Sequence, residues 1–244
     1  MIRVPTPLHG WRIFWGEVGV IVLGVLIALG AQQVAEAIDW RQKARAARDA
    51  LDVELRDNYG QAIEAIMVAP CVDRQLADLA TGLTAPVRVV APTMSDRTND
   101  RYVYRVPSRE WSNQVWRSAV GDGIVAHLDA PFAQAMREHY TQLEGLVIYS
   151  LQTDEVGWRL RVLAQPGPID PATRGVLLQD IETARGLAAF TATVAKQVAR
   201  RLSERGVIDA GAPLSRYLPR SGTIDFCRAR GLPLGTVDPS FPMS

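Results

Sequence analysis

The stretch Phe14-Trp15-Gly16-Glu17-Val18-Gly19-Val20-Ile21-Val22-Leu23-Gly24-Val25-Leu26-Ile27-Ala28-Leu29-Gly30-Ala31 decides how the rest of the chain is read. From Ile13 to Ala31 only Glu17 is ionisable. With Gln32-Gln33 as the first polar pair the run is about 20 residues, the length of helix that crosses a bilayer core. It predicts a transmembrane helix over 13–33, behind a short tail at 1–12. Trp11 and Trp15 stand at one end and Trp40 at the other, about 25 residues past Trp15, as interfacial aromatic anchors. A cleavable signal peptide is the competing reading. Its apolar core would be about 7–15 residues and would end at a small-x-small site. Here Gln32-Gln33-Val34-Ala35-Glu36 continues in helical register, although Ala31 and Ala35 keep that alternative open.

At 100° per residue, Glu17, Gly24, Ala28, Ala31 and Ala35 share one narrow stripe of the span. Small residues on one face let a second helix approach, and a membrane carboxyl turns toward protein or water in preference to lipid. This stripe is the candidate surface for self-association or for a partner's helix. The plainer alternative is a shallow Glu17 that reaches the interface, in a span where glycine is simply common.

The run Gly16-Glu17-Val18, then Val20-Ile21-Val22, Gly24-Val25-Leu26-Ile27-Ala28-Leu29, Gln32-Gln33 and Trp40-Arg41 resembles the N-terminus of a bacterial family of uncharacterised single-pass membrane proteins. The likeness covers roughly residues 10–55. It implies an anchored helical protein with a short cytoplasmic tail and an outward body, and it transfers no catalytic residue.

After the span the helical period continues through Val34, Ile38, Ala44, Ala47, Leu51, Leu55, Tyr59, Ala62, Ile63 and Ile66, with charged residues between them. Pro70 is the first expected stop and Gly60 a place to bend. A shorter helix follows from Val72 to about Gly82. Residues 87–90 and 102–106 read either as a small β hairpin or as coil. Ser108 reads as the cap of a helix bearing Trp111, Val115, Trp116 and Ala119. Two helices of about 35 residues follow, started at Asp129-Ala130-Pro131 and at Asp170-Pro171 and joined by Gln165-Pro166-Gly167-Pro168, so they must fold back antiparallel. The fold class is therefore all-α: a transmembrane helix continuing into a helical bundle over 34–206. The Gly- and Pro-rich tail at 207–244 should lie as irregular chain on that bundle.

Cys71 and Cys227 are the only cysteines, and with no metal-type spacing they read as one disulfide stapling the tail, in an oxidising compartment. Two buried free thiols are the alternative. Basic residues argue against an exported body, since Arg41, Lys43, Arg45 and Arg48 follow the span and only Arg3 and Arg12 precede it. Weighing the cysteines and the resemblance above those charges places the protein in a bacterial inner membrane with a periplasmic body.

A formal charge of +1 lacks the basic face that nucleic acid requires. His9, His127 and His139 show no metal-binding spacing and read as surface or helix-terminal residues. No Gly-x-Ser-x-Gly elbow occurs, and Gly121-Asp122-Gly123 is too short for a phosphate loop. No catalytic residue, metal or cofactor is expected. Tyr102, Tyr104, Arg109, Trp111, Trp116 and Arg117 form the one candidate pocket lining, suited to an anion, with core packing as the simpler reading of the tryptophans. The favoured function is a membrane-anchored interaction or scaffold protein that meets lipid and a protein partner or a second copy. An extracytoplasmic ligand-sensing bundle acting through a partner is the alternative, and an enzyme comes third.

Overall fold

The spine of the molecule is a single helix, α1 (Trp11–Thr84), of 74 residues, about 110 Å at 1.5 Å per residue. The computed structural model describes residues 11–85, 90–91, 103–107, 109–206, 208–209, 212–218 and 220–237. The tail at 1–10, residues 87–89, Tyr102 and Ser108 lie outside them. Of the described side chains from Trp11 to Asp39 all but Val18 are exposed, and Trp40 is the first that the body covers. One helix near the N-terminus is thus long and apolar enough to span a membrane.

The expected stop at Pro70 is wrong, because α1 passes through it. A proline withholds the N–H that would reach the Ile66 carbonyl and crowds that carbonyl, which normally kinks a helix. Here the tail meets the disturbed turn. The Gly235 amide donates to the Met67 carbonyl at 2.7 Å, and a Cβ at Gly235 would lie 2.8 Å from the Ile66 carbonyl oxygen. Only glycine brings its backbone that close. The helix also runs on through Gly60. That glycine lets the tail cross, since a Cβ there would collide with the Tyr217 carbonyl.

Four further helices complete the described body: α2 (Gln114–Gly121), α3 (Ala130–Leu160), α4 (Pro171–Glu204) and α5 (Gly222–Ala229). A 3-10 turn at Ile124–His127 links α2 to α3 and packs on α1. Asp129 caps α3 by accepting from the Phe132 amide at 2.9 Å. Asp170 caps α4 by accepting from the Ala172 and Thr173 amides, each at 3.0 Å. Both caps precede a proline in the first turn, where its missing N–H costs nothing. α3 and α4 form the expected antiparallel pair, clasped where Arg159 reaches Asp180 at 2.9 Å, and α4 also packs along α1.

The core has two storeys stacked along α1. The lower joins Leu51, Leu55 and Ile63 of α1 to Met136, Tyr140, Leu143 and Leu146 of α3 and Val198 and Leu202 of α4. The upper joins Val68, Val72 and Leu76 to Val156 and Leu160, Leu177, Ile181 and Ala184. Among the described residues there is no strand, and residues 103–107 carry no regular secondary structure, with a bend at Val103 and Tyr104.

The tail departs from the irregular chain expected of it. Ser221 accepts from the Ile224 amide at 3.0 Å and starts α5. Cys227 on α5 is bonded to Cys71, with Cα atoms 6.1 Å apart. A short helix survives among the glycines and prolines because Ser221, itself held by Glu64 of α1, caps it and Cys71 staples it to α1.

Candidate functional site

Residues 103–107 and 109–113 descend along α1 as a strap held by a ladder of side chains from that helix. Gln75 Oε1 accepts from the Arg105 amide at 2.7 Å. Gln61 Nε2 donates to the Arg109 carbonyl at 2.7 Å. Asn58 forms a two-bond clasp with Ser112, donating to its carbonyl at 2.8 Å and accepting from its amide at 2.9 Å. Each rung gives a backbone outside helix and sheet the partners that regular structure would otherwise supply.

Glu54 ends the ladder. Its buried carboxylate accepts from the Val115 amide at 2.9 Å and the Trp116 amide at 3.4 Å, so α1 caps α2 from outside. The same group accepts from the Ser112 hydroxyl at 2.8 Å and the Tyr140 hydroxyl at 2.6 Å. Burial first, and then the bond to Glu54, push the Tyr140 hydroxyl well above its ordinary value, so it stays a donor. This capping starts α2 at Gln114, later than a Ser108 cap would, and leaves Trp111 on the strap.

Arg109 is tied at two points. Its Nε lies 3.2 Å from buried Glu64, and its Nη2 donates to the Arg220 carbonyl at 2.8 Å. Glu64 also accepts from the Ser221 hydroxyl at 2.6 Å. Desolvation raises the Glu64 pKa, against the pull of Ser221, Arg109 and Arg105. A guanidinium already spent on an internal carboxylate is a poor anion receptor.

A cavity of about 670 Å³ opens between the two storeys of the core. Ala65 and Ala69 of α1 and Ala184 and Ala188 of α4 line it, and their small side chains leave the space. Tyr104, Arg109 and Trp111 close one side, while Ser150, Thr153 and Asp154 of α3 bring polar groups to another. Of the residues expected in a pocket, Tyr104, Arg109 and Trp111 are there. Trp116 and Arg117 are not. Trp116 turns into the lower core and stacks on Tyr140 with ring centroids 5.2 Å apart, and Arg117 is exposed on α2. The arginine in this wall, Arg109, is paired with buried Glu64, and Glu110 and Asp154 stand in the same lining.

The histidines divide. His127 is exposed and stacks on Trp40 with centroids 4.1 Å apart. His139, expected at a surface, is fully buried, and neither ring nitrogen has a hydrogen-bond partner among the described residues. Desolvation, then Arg205, drive its pKa down to about 4, with Glu54 opposing and Arg201 adding to the depression. No group of three or more metal-ligating side chains is assembled among the described residues.

Glu17, Gly24, Ala28 and Ala31 lie on the bare part of α1, where a Cβ at Gly24 would meet nothing within 4 Å. Trp11 and Trp15 form an aromatic contact at 5.6 Å. Trp40 stands at the start of the body with Lys43 Nζ 4.9 Å from its ring.

No protein-family model, curated protein or solved structure matches the chain.

Proposed function

We propose that this is a single-pass, membrane-anchored helical interaction or scaffold protein without catalytic activity. The observation that carries this reading is the continuity of α1. Its bare apolar stretch and the spine of the bundle are one helix, so the anchor and the body share one rigid axis. A bacterial inner membrane and a periplasmic body are part of the proposal. The Cys71–Cys227 bond supports an oxidising compartment, and the resemblance of residues 10–55 to single-pass bacterial proteins supports the anchor.

Two surfaces support contact with a partner or a second copy. One is the stripe of Glu17, Gly24, Ala28 and Ala31 in the span. The other is an outward apolar patch on α3 and α4, where Ile148, Leu151 and Phe190 are 55%, 64% and 45% exposed. Crosslinking in native membranes followed by pull-down should recover one stable partner or the homo-oligomer. Recovery of uncrosslinked monomer alone at every crosslinker length would overturn the reading. A fusion reporter at residue 150 tests the periplasmic placement, which a cytoplasmic signal would refute.

The cavity favours a second reading, a ligand-holding bundle that signals through a partner. Thermal-shift screening of the membrane-embedded protein tests it, and retention of the shift in a cavity-filling Ala188→Leu variant would count against it.

A further inference from the structure

The rungs between α1 and the strap fix which part of the body comes lowest. Arg105 pairs with Gln75, Arg109 with Gln61, Ser112 with Asn58 and Val115 with Glu54, so the strap descends antiparallel to α1 toward the bare segment. α2 carries on downward. The 3-10 turn after it lies level with Trp40, where the His127 and Trp40 rings stack within 11° of parallel. From there α3 climbs again, with Arg48 over the Phe132 ring and then Glu54 bonded to Tyr140. The end of α2 and the turn that follows it, residues 120–127, are therefore the end of the body that faces the span.

The bare length of α1 fits this placement. From Trp11 to Asp39 the helix rises about 43 Å, and a bilayer with its headgroup layers is about 40–45 Å thick. No spacer remains between the outer edge of the lipid and the first packed residue, Trp40. The turn itself suits an interfacial layer. Val120 is 52% exposed, and Gly121, Gly123 and Ala126 are exposed beside it, with Asp122 the one acid. Arg41, Lys43, Arg45 and Arg48 stand exposed on the same end of α1, and Arg117 on α2, outnumbering the exposed acids among them, Asp39, which is paired with Lys43 at 2.7 Å, and Asp49. An aromatic, a cationic collar and small apolar groups are the composition that settles among headgroups.

We infer that the turn at residues 120–127 rests in the phospholipid headgroup layer as a second membrane contact, so that the body stands on the bilayer instead of swinging on a single helix. This rests on the anchored reading above, and its test separates the two. Single cysteines are introduced at Leu26, Val120, Ala126 and Gln152, the native pair being bonded to each other. Each carries an environment-sensitive fluorophore in the full chain, reconstituted in phosphatidylcholine–phosphatidylglycerol vesicles. Quenching by lipids with a headgroup nitroxide, by lipids with a mid-chain nitroxide and by aqueous iodide is then compared. The headgroup nitroxide should quench Val120 and Ala126 severalfold more than Gln152, while the mid-chain nitroxide quenches Leu26.

If Leu26 is deep but Val120 and Ala126 answer only to iodide, as Gln152 does, the second contact is refuted and the anchor stands. Shielding of Val120 from all three quenchers means that protein covers the turn, and refutes it equally. If Leu26 itself answers to iodide, the anchored reading fails and takes the inference with it. All four substituted side chains are exposed, so these labels leave the core intact.

Discussion

The Tyr140 hydroxyl donates to Glu54 Oε1 at 2.6 Å across 86 positions of sequence. That bond joins α3 to α1 at the point where Glu54 also caps α2, so one carboxylate holds three helices in register. Removing it strands several buried donors, each costing about 1–3 kcal/mol. Glu54→Ala should lower stability by about 3 kcal/mol or more, on the order of 10 °C in Tm for a chain of this size. Tyr140→Phe should lose only about 1–2 kcal/mol. Thermal unfolding of the two variants and of the double variant checks this, and strict additivity would show that the pair is not coupled.

Gly60 and Gly235 are crossing points, whereas Gly186 of α4 has nothing within 4 Å of its Cβ position. Gly60→Ala and Gly235→Ala should each destabilise by about 1–3 kcal/mol through backbone collision. Gly186→Ala should stabilise by about 0.5–1 kcal/mol, because it restricts the unfolded chain and adds helix propensity. Opposite signs in denaturation midpoints are the expected result.

His139 makes stability depend on acid. Its folded pKa of about 4 lies below the ordinary 6.5, so as pH falls the unfolded chain takes up the proton first. The contribution is complete above pH 6.5 and is lost between 6.5 and 4, an amount on the order of 3 kcal/mol. Glu64 works the other way. Its raised pKa removes stability as pH climbs from 4.5 through the folded value. Titrating Tm across this window should give a steep slope in the native chain and a flatter one in His139→Leu.

The Cys71–Cys227 bond closes a loop with a separation of 156 residues. Closing so long a loop restricts the unfolded chain strongly, and the paired Ser variant should lose about 4 kcal/mol. Protease should then cut first near α5. Unchanged digestion after reduction would show that Ser221, Glu64 and Gly235 hold the tail without the staple.

Gly24→Ile with Ala28→Ile should weaken self-association of the span, because branched side chains on the small-residue stripe hold a second helix away. A span-dimerisation reporter reads this directly. A signal equal to that of the native span would remove the stripe from the interface.

Much of the bundle was legible because periodicity and caps are local. Asp129-Ala130-Pro131 and Asp170-Pro171 announce their helices without help from the rest of the chain. The strap was not legible, although its ladder has a trace in the sequence: Glu54, Asn58, Gln61, Glu64 and Gln75 repeat at helical spacing on a helix that also carries core residues. Their being polar and buried is a property of the partner segment, and nothing in the local pattern distinguishes them from a solvated face. Trp116 and Arg117 were misplaced for the same reason, since the residue that starts α2 lies on another helix.

By itself the sequence determined an apolar helix long enough for a bilayer, the two long antiparallel helices and the pair of cysteines able to bond. Those follow from hydrophobic period, proline and aspartate at helix starts, and composition, all of which act within a few residues. Only the tertiary structure decided that α1 continues through Pro70, that a polar ladder lays the strap against it, and that His139 is buried. Each depends on a distant segment supplying a hydrogen bond or taking away water, an energy that exists only once the chain has folded back on itself.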